Sequence, residues 1–348
     1  MLSKAEIERY SRHLILESFG EEAQLKLKSA KVLVIGAGGL GCPALLYLSA
    51  AGIGTIGIID DDVVSESNLQ RQILFSSDDI GKKKVLAAKE RLKIQNPFID
   101  ILTFEEQLTK QNALDIISKF DAIIDGSDNF ATRYLVNDAC IILNKPFVYG
   151  AIFKFEGQVS VFNYKNGPTY RCLFNEPPNE GEMPACGEVG VLGVLPGIVG
   201  TWQATEAIKI ITGIGEPLSG KLLSLNLLTN EITSFEFEAD EKNRTIKELS
   251  DYNFNCEINT LSLDKLNQLQ QKQNIQLIDV RDKNEFATKN LNGINIPVSE
   301  IEKRITELNP EKITVVHCKS GVRSKKAIAI IKDYYPEIEI YDLTGYEL

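Results

Sequence analysis

Only two histidines, His13 and His317, occur in the 348 residues. A metal centre built from several imidazoles is therefore excluded, and a histidine-dependent catalytic triad has little to draw on. No stretch approaches the roughly 18 uninterrupted apolar residues of a membrane-spanning helix. The opening MLSKAEIERYSRHLIL mixes charges with apolar side chains and reads neither as a signal peptide nor as a span. Basic charge is in deficit: 38 Lys and Arg against 48 Asp and Glu leave −10, which argues against general nucleic-acid or anionic-membrane binding. The six cysteines, Cys42, Cys140, Cys172, Cys186, Cys256 and Cys318, are scattered through a chain without an export signal. A disulfide framework is not expected, and each thiol is a question of its own reactivity. What remains is a cytoplasmic protein of ordinary composition, 43% hydrophobic and 25% charged, long enough for two domains.

The stretch from Lys31 to Asp60 organises the rest. Val32 to Ile35 is a short apolar run suited to a strand buried on both faces of a parallel sheet. Gly36, Gly38 and Gly41 follow at G-x-G-x-x-G spacing, which lets the backbone approach a phosphate at the start of a helix over Leu40 to Ala51. A second apolar run, Thr55 to Ile59, ends in Asp60, placed to accept hydrogen bonds from ribose hydroxyls. On this motif alone a dinucleotide, another nucleotide and a plain structural turn all stay open.

The polar loop after Asp60 carries Asn68, Gln70 and Arg71, and Lys84 opens the next helix. A dinucleotide oxidoreductase has no need of these residues, whereas a triphosphate losing pyrophosphate does, because charge builds on the leaving oxygens. Phe98 to Thr103 and Phe120 to Ile124 read as further strands, the second ending in Asp125-Gly126-Ser127-Asp128-Asn129. Asp128 suits either Mg²⁺ or the N-cap of a helix over Asn129 to Leu143. Pro146 to Ala151 and Gly157 to Phe162 alternate as strands, and a long irregular stretch from Tyr164 to about Gly187 holds Cys172 and Cys186. Strands over Lys221 to Leu228 and Glu231 to Glu238, joined at Thr229-Asn230, close the first domain. Ser3 to Leu16 is expected to be one amphipathic helix carrying Arg9 and Arg12.

A second α/β unit begins near Thr260, with a helix over Ser262 to Gln271, strands Gln276 to Val280 and Ile313 to His317, and a helix over Val298 to Leu308. Cys318-Lys319-Ser320-Gly321-Val322-Arg323 follows the last strand and opens another helix. Backbone N–H groups, the helix N-terminus and Arg323 would all favour a thiolate at Cys318. Cysteine phosphatases need one more residue between cysteine and arginine than is present here.

Taken together, RYSRHLIL, GAGGLGCP, IIDDDVV, SNLQRQ, DGSDNFATRYLVND and GVLGVLPGIVGTWQATEAIK resemble the ThiF/HesA/MoeB superfamily of ubiquitin-activating-type adenylyltransferases, over residues 7–238. The C-terminal LIDVRDKNEF, GINIP and C-x-x-G-x-R-S resemble a rhodanese sulfurtransferase domain, with Asn290 where rhodaneses usually carry histidine. The resemblance implies a Rossmann-like adenylation domain over 1–240, a linker over 241–259 and a small α/β rhodanese domain over 260–348. It implies ATP and Mg²⁺ as cofactors, with Gly39, Asp60, Asn68, Arg71, Lys84, Asp128 and Asn129 at the nucleotide, and Arg12 reaching a phosphate across a homodimer.

The expected reaction is adenylation of the C-terminal glycine of a ubiquitin-fold sulfur carrier ending in Gly-Gly, then thiocarboxylation by a persulfide on Cys318. A donor such as a cysteine desulfurase would supply the sulfur, and Cys186 is the candidate for a second, releasing thiol. Molybdopterin biosynthesis is the expected pathway; thiamine, another thio-metabolite or tRNA thiolation is the alternative. Family members usually hold zinc with two C-x-x-C pairs. Here Cys172 stands alone and no pair precedes Arg244 to Leu249, so no zinc is expected. An NAD-linked oxidoreductase would rest on the glycine loop and Asp60 alone, and a non-catalytic scaffold has no need of Arg71, Lys84, Asp128 and Cys318.

Overall fold

Continuous apolar runs become the buried strands. Lys31–Ile35 forms β1, Thr55–Ile59 β2, Asp100–Phe104 β3 and Ala122–Asp125 β4, and almost every residue of β1, β2 and β4 is shut off from water. Phe147–Phe153 (β5), Glu156–Phe162 (β6), Lys221–Asn226 (β7) and Glu231–Glu236 (β8) complete an eight-stranded sheet in the order β3-β2-β1-β4-β5-β6-β7-β8. The first five strands in that order are parallel, and β5 to β8 pair antiparallel. This computed structural model describes residues 1–176, 190–252, 259–270, 274–319 and 321–344.

The chain leaves the middle of the sheet in opposite directions from β1, toward β2 on one side and β4 on the other. Such a switch point opens a crevice beyond the carboxyl ends of the strands, where open α/β sheets bind ligands. The helix Gly41–Ala51 follows β1, ends at Gly52 in the left-handed region, and packs against the long helix Val194–Thr212. Their approach is close, since a Cβ on Gly200 would come within 2.2 Å of the Leu40 carbonyl oxygen.

A second unit takes up the C-terminal chain. Its strands are Asn259–Ser262 (β9), Ile275–Asp279 (β10), Ile294–Asn295 (β11), Ile313–His317 (β12) and Ile340–Thr344 (β13), all parallel in the order β11-β10-β12-β13-β9. Ile278, Val316, Ala327, Ile328 and Ile331 form its core between sheet and helix. Among the described residues no helix of either unit is long and apolar enough to cross a membrane.

Three expectations are corrected. The N-terminal helix is broken into Lys4–Arg9 and Ser11–Leu14, because Tyr10 turns inward. Its hydroxyl accepts from Asn96 Nδ2 at 2.9 Å and its ring lies where a Gly52 Cβ would be. Strand β3 starts at Asp100 rather than Phe98, because Asn96 Oδ1 accepts from the Phe98 N–H at 3.2 Å and prolongs the turn. Residues Val298 to Leu308 form two short 3₁₀ turns, Val298–Glu300 and Ile305–Glu307, rather than a helix. Ile301, Ile305 and Leu308 still reach the core, while Arg304 donates to the Asn295 carbonyl and to Glu307 and holds the intervening backbone in another path.

Candidate active site

Two loops meet at the switch point. The Gly126 N–H donates to the Ile35 carbonyl at 2.9 Å, and a Cβ on Gly36 would come 2.9 Å from the Gly126 oxygen. Gly36 has φ 87°, and a Cβ on Gly41 would lie 1.9 Å from the Gly36 carbonyl oxygen, so side chains are barred at both positions. Gly38 and Gly39 lie between them, and a Gly39 Cβ would be 3.7 Å from Arg71 Cδ. The loop after β1 is therefore bare backbone, flanked by an arginine.

Asp60 at the end of β2 accepts from the Ala37 N–H at 2.8 Å and the Asp62 N–H at 2.9 Å. Burial pushes its carboxyl up, while Lys84 and these two donors pull it down. Lys84 is only 5% exposed; its ammonium is 2.7 Å from Asp62 and 4.0 Å from Asp60. Asp60, Asp61 and Asp62 bring carboxylate oxygens within 4.8 Å of one another, and Lys84 offsets part of that repulsion. Arg71 donates to the Ser67 carbonyl at 2.9 Å, and Asn68 Oδ1 accepts from the Ser65 N–H at 3.1 Å. Gln70 seats against the N-terminus of the long helix, where a Gly193 Cβ would strike its carbonyl oxygen at 2.2 Å.

At the end of β4 the helix Phe130–Ile142 is capped by Asn129, whose side chain accepts from the Thr132 N–H at 2.8 Å. Asp128 is thus not the cap, and it stands exposed at the strand end. Arg12 is exposed on the helix Ser11–Leu14.

In the second unit Cys318 follows β12 and is 2% exposed. Its sulfur accepts from the Gly321 N–H at 3.1 Å and the Ser324 N–H at 3.4 Å, with Gly321 at φ 81° starting the helix Val322–Tyr334. Arg323 forks onto Glu285 at 2.5 and 2.9 Å, so most of its charge is answered there rather than at the thiol. Lys319 is exposed. Ser320, the Val322 side chain and Cys186 lie outside the described residues.

The ThiF family pattern matches residues 10–247, more than half of the chain. The chain belongs to the ThiF family. The rhodanese-like domain pattern matches residues 262–346. Among relatives, the probable adenylyltransferase/sulfurtransferase MoeZ of Mycobacterium tuberculosis is 44% identical over 351 residues, spanning 95% of this chain and 89% of that protein. A probable molybdopterin-synthase adenylyltransferase of Porphyra purpurea is 43% identical over 333 residues, spanning 92% and 87%. Among solved structures, E. coli MccB with MccA-N7isoASN superposes with a TM-score of 0.61 at 25% identity, over 67% of this chain and 73% of that one.

Several supports of the two candidate sites escaped sequence reasoning. Asp62, the closest partner of Lys84, was one acid in the Asp60-Asp61-Asp62 run, and only its ion pair singles it out. Asp125 is fully buried and accepts from the Ser127 N–H at 3.0 Å, while Gln203 Nε2 donates to the Asp125 carbonyl at 2.6 Å. No local pattern signals Gln203. Glu285, which fixes Arg323, stood in plain view in KNEF but acts across the fold.

Cys172 accepts from the N–H groups of Asp240 at 3.3 Å and Thr169 at 3.4 Å, and from Asn243 Nδ2 at 3.7 Å. Burial pushes this thiol up, but those donors outweigh it and leave the thiol below its ordinary range.

Proposed function

We propose that this chain adenylates the C-terminal glycine of a ubiquitin-like sulfur carrier with ATP and then converts it to a thiocarboxylate with persulfide sulfur from Cys318. The observation that carries the reading is the gathering of the bare glycine loop, Asp60, Lys84 and Arg71 at one switch point, in a chain that also cradles Cys318. In the first step a carboxylate oxygen of the carrier attacks the α-phosphorus, and pyrophosphate leaves with the electron pair of the broken P–O bond. Arg71 and Lys84 stabilise the leaving charge, and Asp60 orients the ribose. In the second step the outer sulfur on Cys318 attacks the acyl carbon and AMP departs, leaving the carrier on Cys318 as an acyl disulfide. A thiolate then attacks the Cys318 sulfur, the thiocarboxylate leaves with the electron pair of the broken S–S bond, and an external thiol reductant clears the disulfide left on Cys318.

Asp128, exposed and not engaged as the helix cap, is a hard oxygen donor of the kind Mg²⁺ prefers; the ion would neutralise phosphate charge there. Arg12 acts on the nucleotide of a second copy in a homodimer, which its exposure on a single chain supports. The adenylation work falls to residues 1–240 and the sulfur chemistry to 260–348, with 241–259 as linker. No zinc takes part: the Asp240 and Thr169 N–H groups and Asn243 serve the Cys172 sulfur instead. The pathway is molybdopterin biosynthesis in the cytoplasm, in keeping with the name of the Porphyra relative.

Capturing a small protein ending in Gly-Gly, and measuring its C-terminal mass after ATP and a sulfur donor are added, tests the whole reading. A gain matching replacement of one carboxylate oxygen by sulfur supports it. A carrier adenylated but never thiolated would remove the second half. Tightly bound zinc in the purified protein would overturn the account of Cys172.

A further inference from the structure

Asp342, on β13, has no exposed surface, and neither carboxylate oxygen has a hydrogen-bond partner among the described residues. Burial pushes its carboxyl up, against the Ser324 hydroxyl and Lys325. A buried carboxylate without donors is costly, and an asparagine would fill nearly the same volume without that charge. Its position gives the group something to act on.

A Cβ on Gly321 would come within 3.7 Å of Asp342 Oδ2, and the Gly321 N–H is itself a donor to the Cys318 sulfur. Ser324 is fully buried, with Oγ 3.5 Å from Cys318 Sγ; it directs its hydroxyl at the Gly321 carbonyl, 3.0 Å away. Thiol and hydroxyl are thus neighbours, and the same hydroxyl acts on the Asp342 carboxyl. Lys325 on the helix is the charged group that acts on Asp342. Its register partners on the flanking strands, Val316 on β12 and Thr260 on β9, carry no charge.

We propose that Asp342 is a positioning residue for sulfur loading, receiving through the Ser324 hydroxyl the proton that Cys318 must lose before its sulfur attacks a donor. The Ser324 hydroxyl first turns from the Gly321 carbonyl to the carboxylate; the Cys318 S–H proton then passes to Ser324 Oγ while the Ser324 hydroxyl proton passes to Asp342. The products are a thiolate, an unchanged serine and a neutral carboxylic acid. The thiolate then attacks the outer sulfur of a sulfane donor: a new S–S bond forms, the donor's own S–S bond breaks, and the leaving group takes the electron pair. The inference rests on the sulfur-transfer reading of Cys318.

The test is persulfide formation on Cys318 of the full chain from thiosulfate, followed by mass across about pH 5 to 9. Near pH 7 Asp342→Asn is expected to slow loading at least ~10-fold, the lower end for a lost proton acceptor, with KM for thiosulfate unchanged. The gap should close at about pH 9, where a thiol ionises unaided. Ser324→Ala should reproduce that profile, and Asp342→Glu should recover part of the rate. Pyrophosphate exchange should be unaffected by Asp342→Asn. An Asp342→Asn profile parallel to wild type at every pH, whether equal or uniformly lower, overturns the relay. If that variant does not fold, a wild-type profile for Ser324→Ala overturns it equally. Absence of persulfide on the wild-type chain would instead remove the sulfur-transfer reading.

Discussion

Lys84 shows how a reactive cation is kept in place. An ammonium with 5% exposure is tolerable only among acceptors, and Asp62 and Asp60 supply them. Replacing Lys84 or Arg71 by alanine is expected to cost about 100-fold or more in ATP–pyrophosphate exchange, the scale of a lost oxyanion donor. Near-normal exchange in both variants would remove them from the reaction. His317 offers a test by pH. Burial pushes it from 6.5 down to about 4, against the attraction of Asp279 at 3.8 Å. The unfolded chain takes up this proton before the folded one, so the stability it represents is full above 6.5 and is lost as pH falls toward 4. About 3 kcal/mol is at stake as an order of magnitude. Urea midpoints of the C-terminal unit should fall between pH 7 and 5 in wild type and change less in His317→Gln.

The four described thiols differ for reasons of place. Burial pushes Cys42 up to about 12 and Cys140 well above its ordinary value, which makes both inert. Cys172 and Cys318 instead receive N–H donors from turns. The glycine loop works by the opposite device, removing side chains. In Gly41→Ala the new methyl would have to displace the Gly36 carbonyl, so both the fold and the phosphate seat should suffer. A stability loss of about 1 to 3 kcal/mol is expected for such overpacking. ATP should then no longer raise the thermal midpoint; an ATP shift equal to wild type would show that the nucleotide binds elsewhere.

Two chemistries on one chain can be separated by single substitutions. Cys318→Ala is expected to keep pyrophosphate exchange and make no thiocarboxylate. Direct attack by the persulfide leaves the carrier joined to Cys318 through an acyl disulfide, which a second thiol must open. If Cys186 is that thiol, Cys186→Ala keeps exchange and accumulates carrier on Cys318 as an adduct released by reductant. Wild-type turnover of Cys186→Ala without reductant would assign release to another group.

Much of the architecture was legible because burial on both faces demands uninterrupted apolar runs: β2 and β12 begin and end where those runs do. The glycine spacing marked the side-chain-poor loop after β1 for an equally local reason, since chain and helix must approach within a few bonds of one another. Local patterns were silent wherever the partner lay far along the chain. Tyr10 breaks the first helix because Asn96 and Gly52 receive it, and Asn129 rather than Asp128 caps its helix because backbone geometry at Thr132 selects one of two neighbouring candidates. Arg323 is held by Glu285, and Asp342 lies close to Gly321, each across a span of chain that no local pattern relates. The sequence determined which groups are available for chemistry. Tertiary structure decided which of them meet, because charge and hydrogen bonding act through distances that only the folded chain sets.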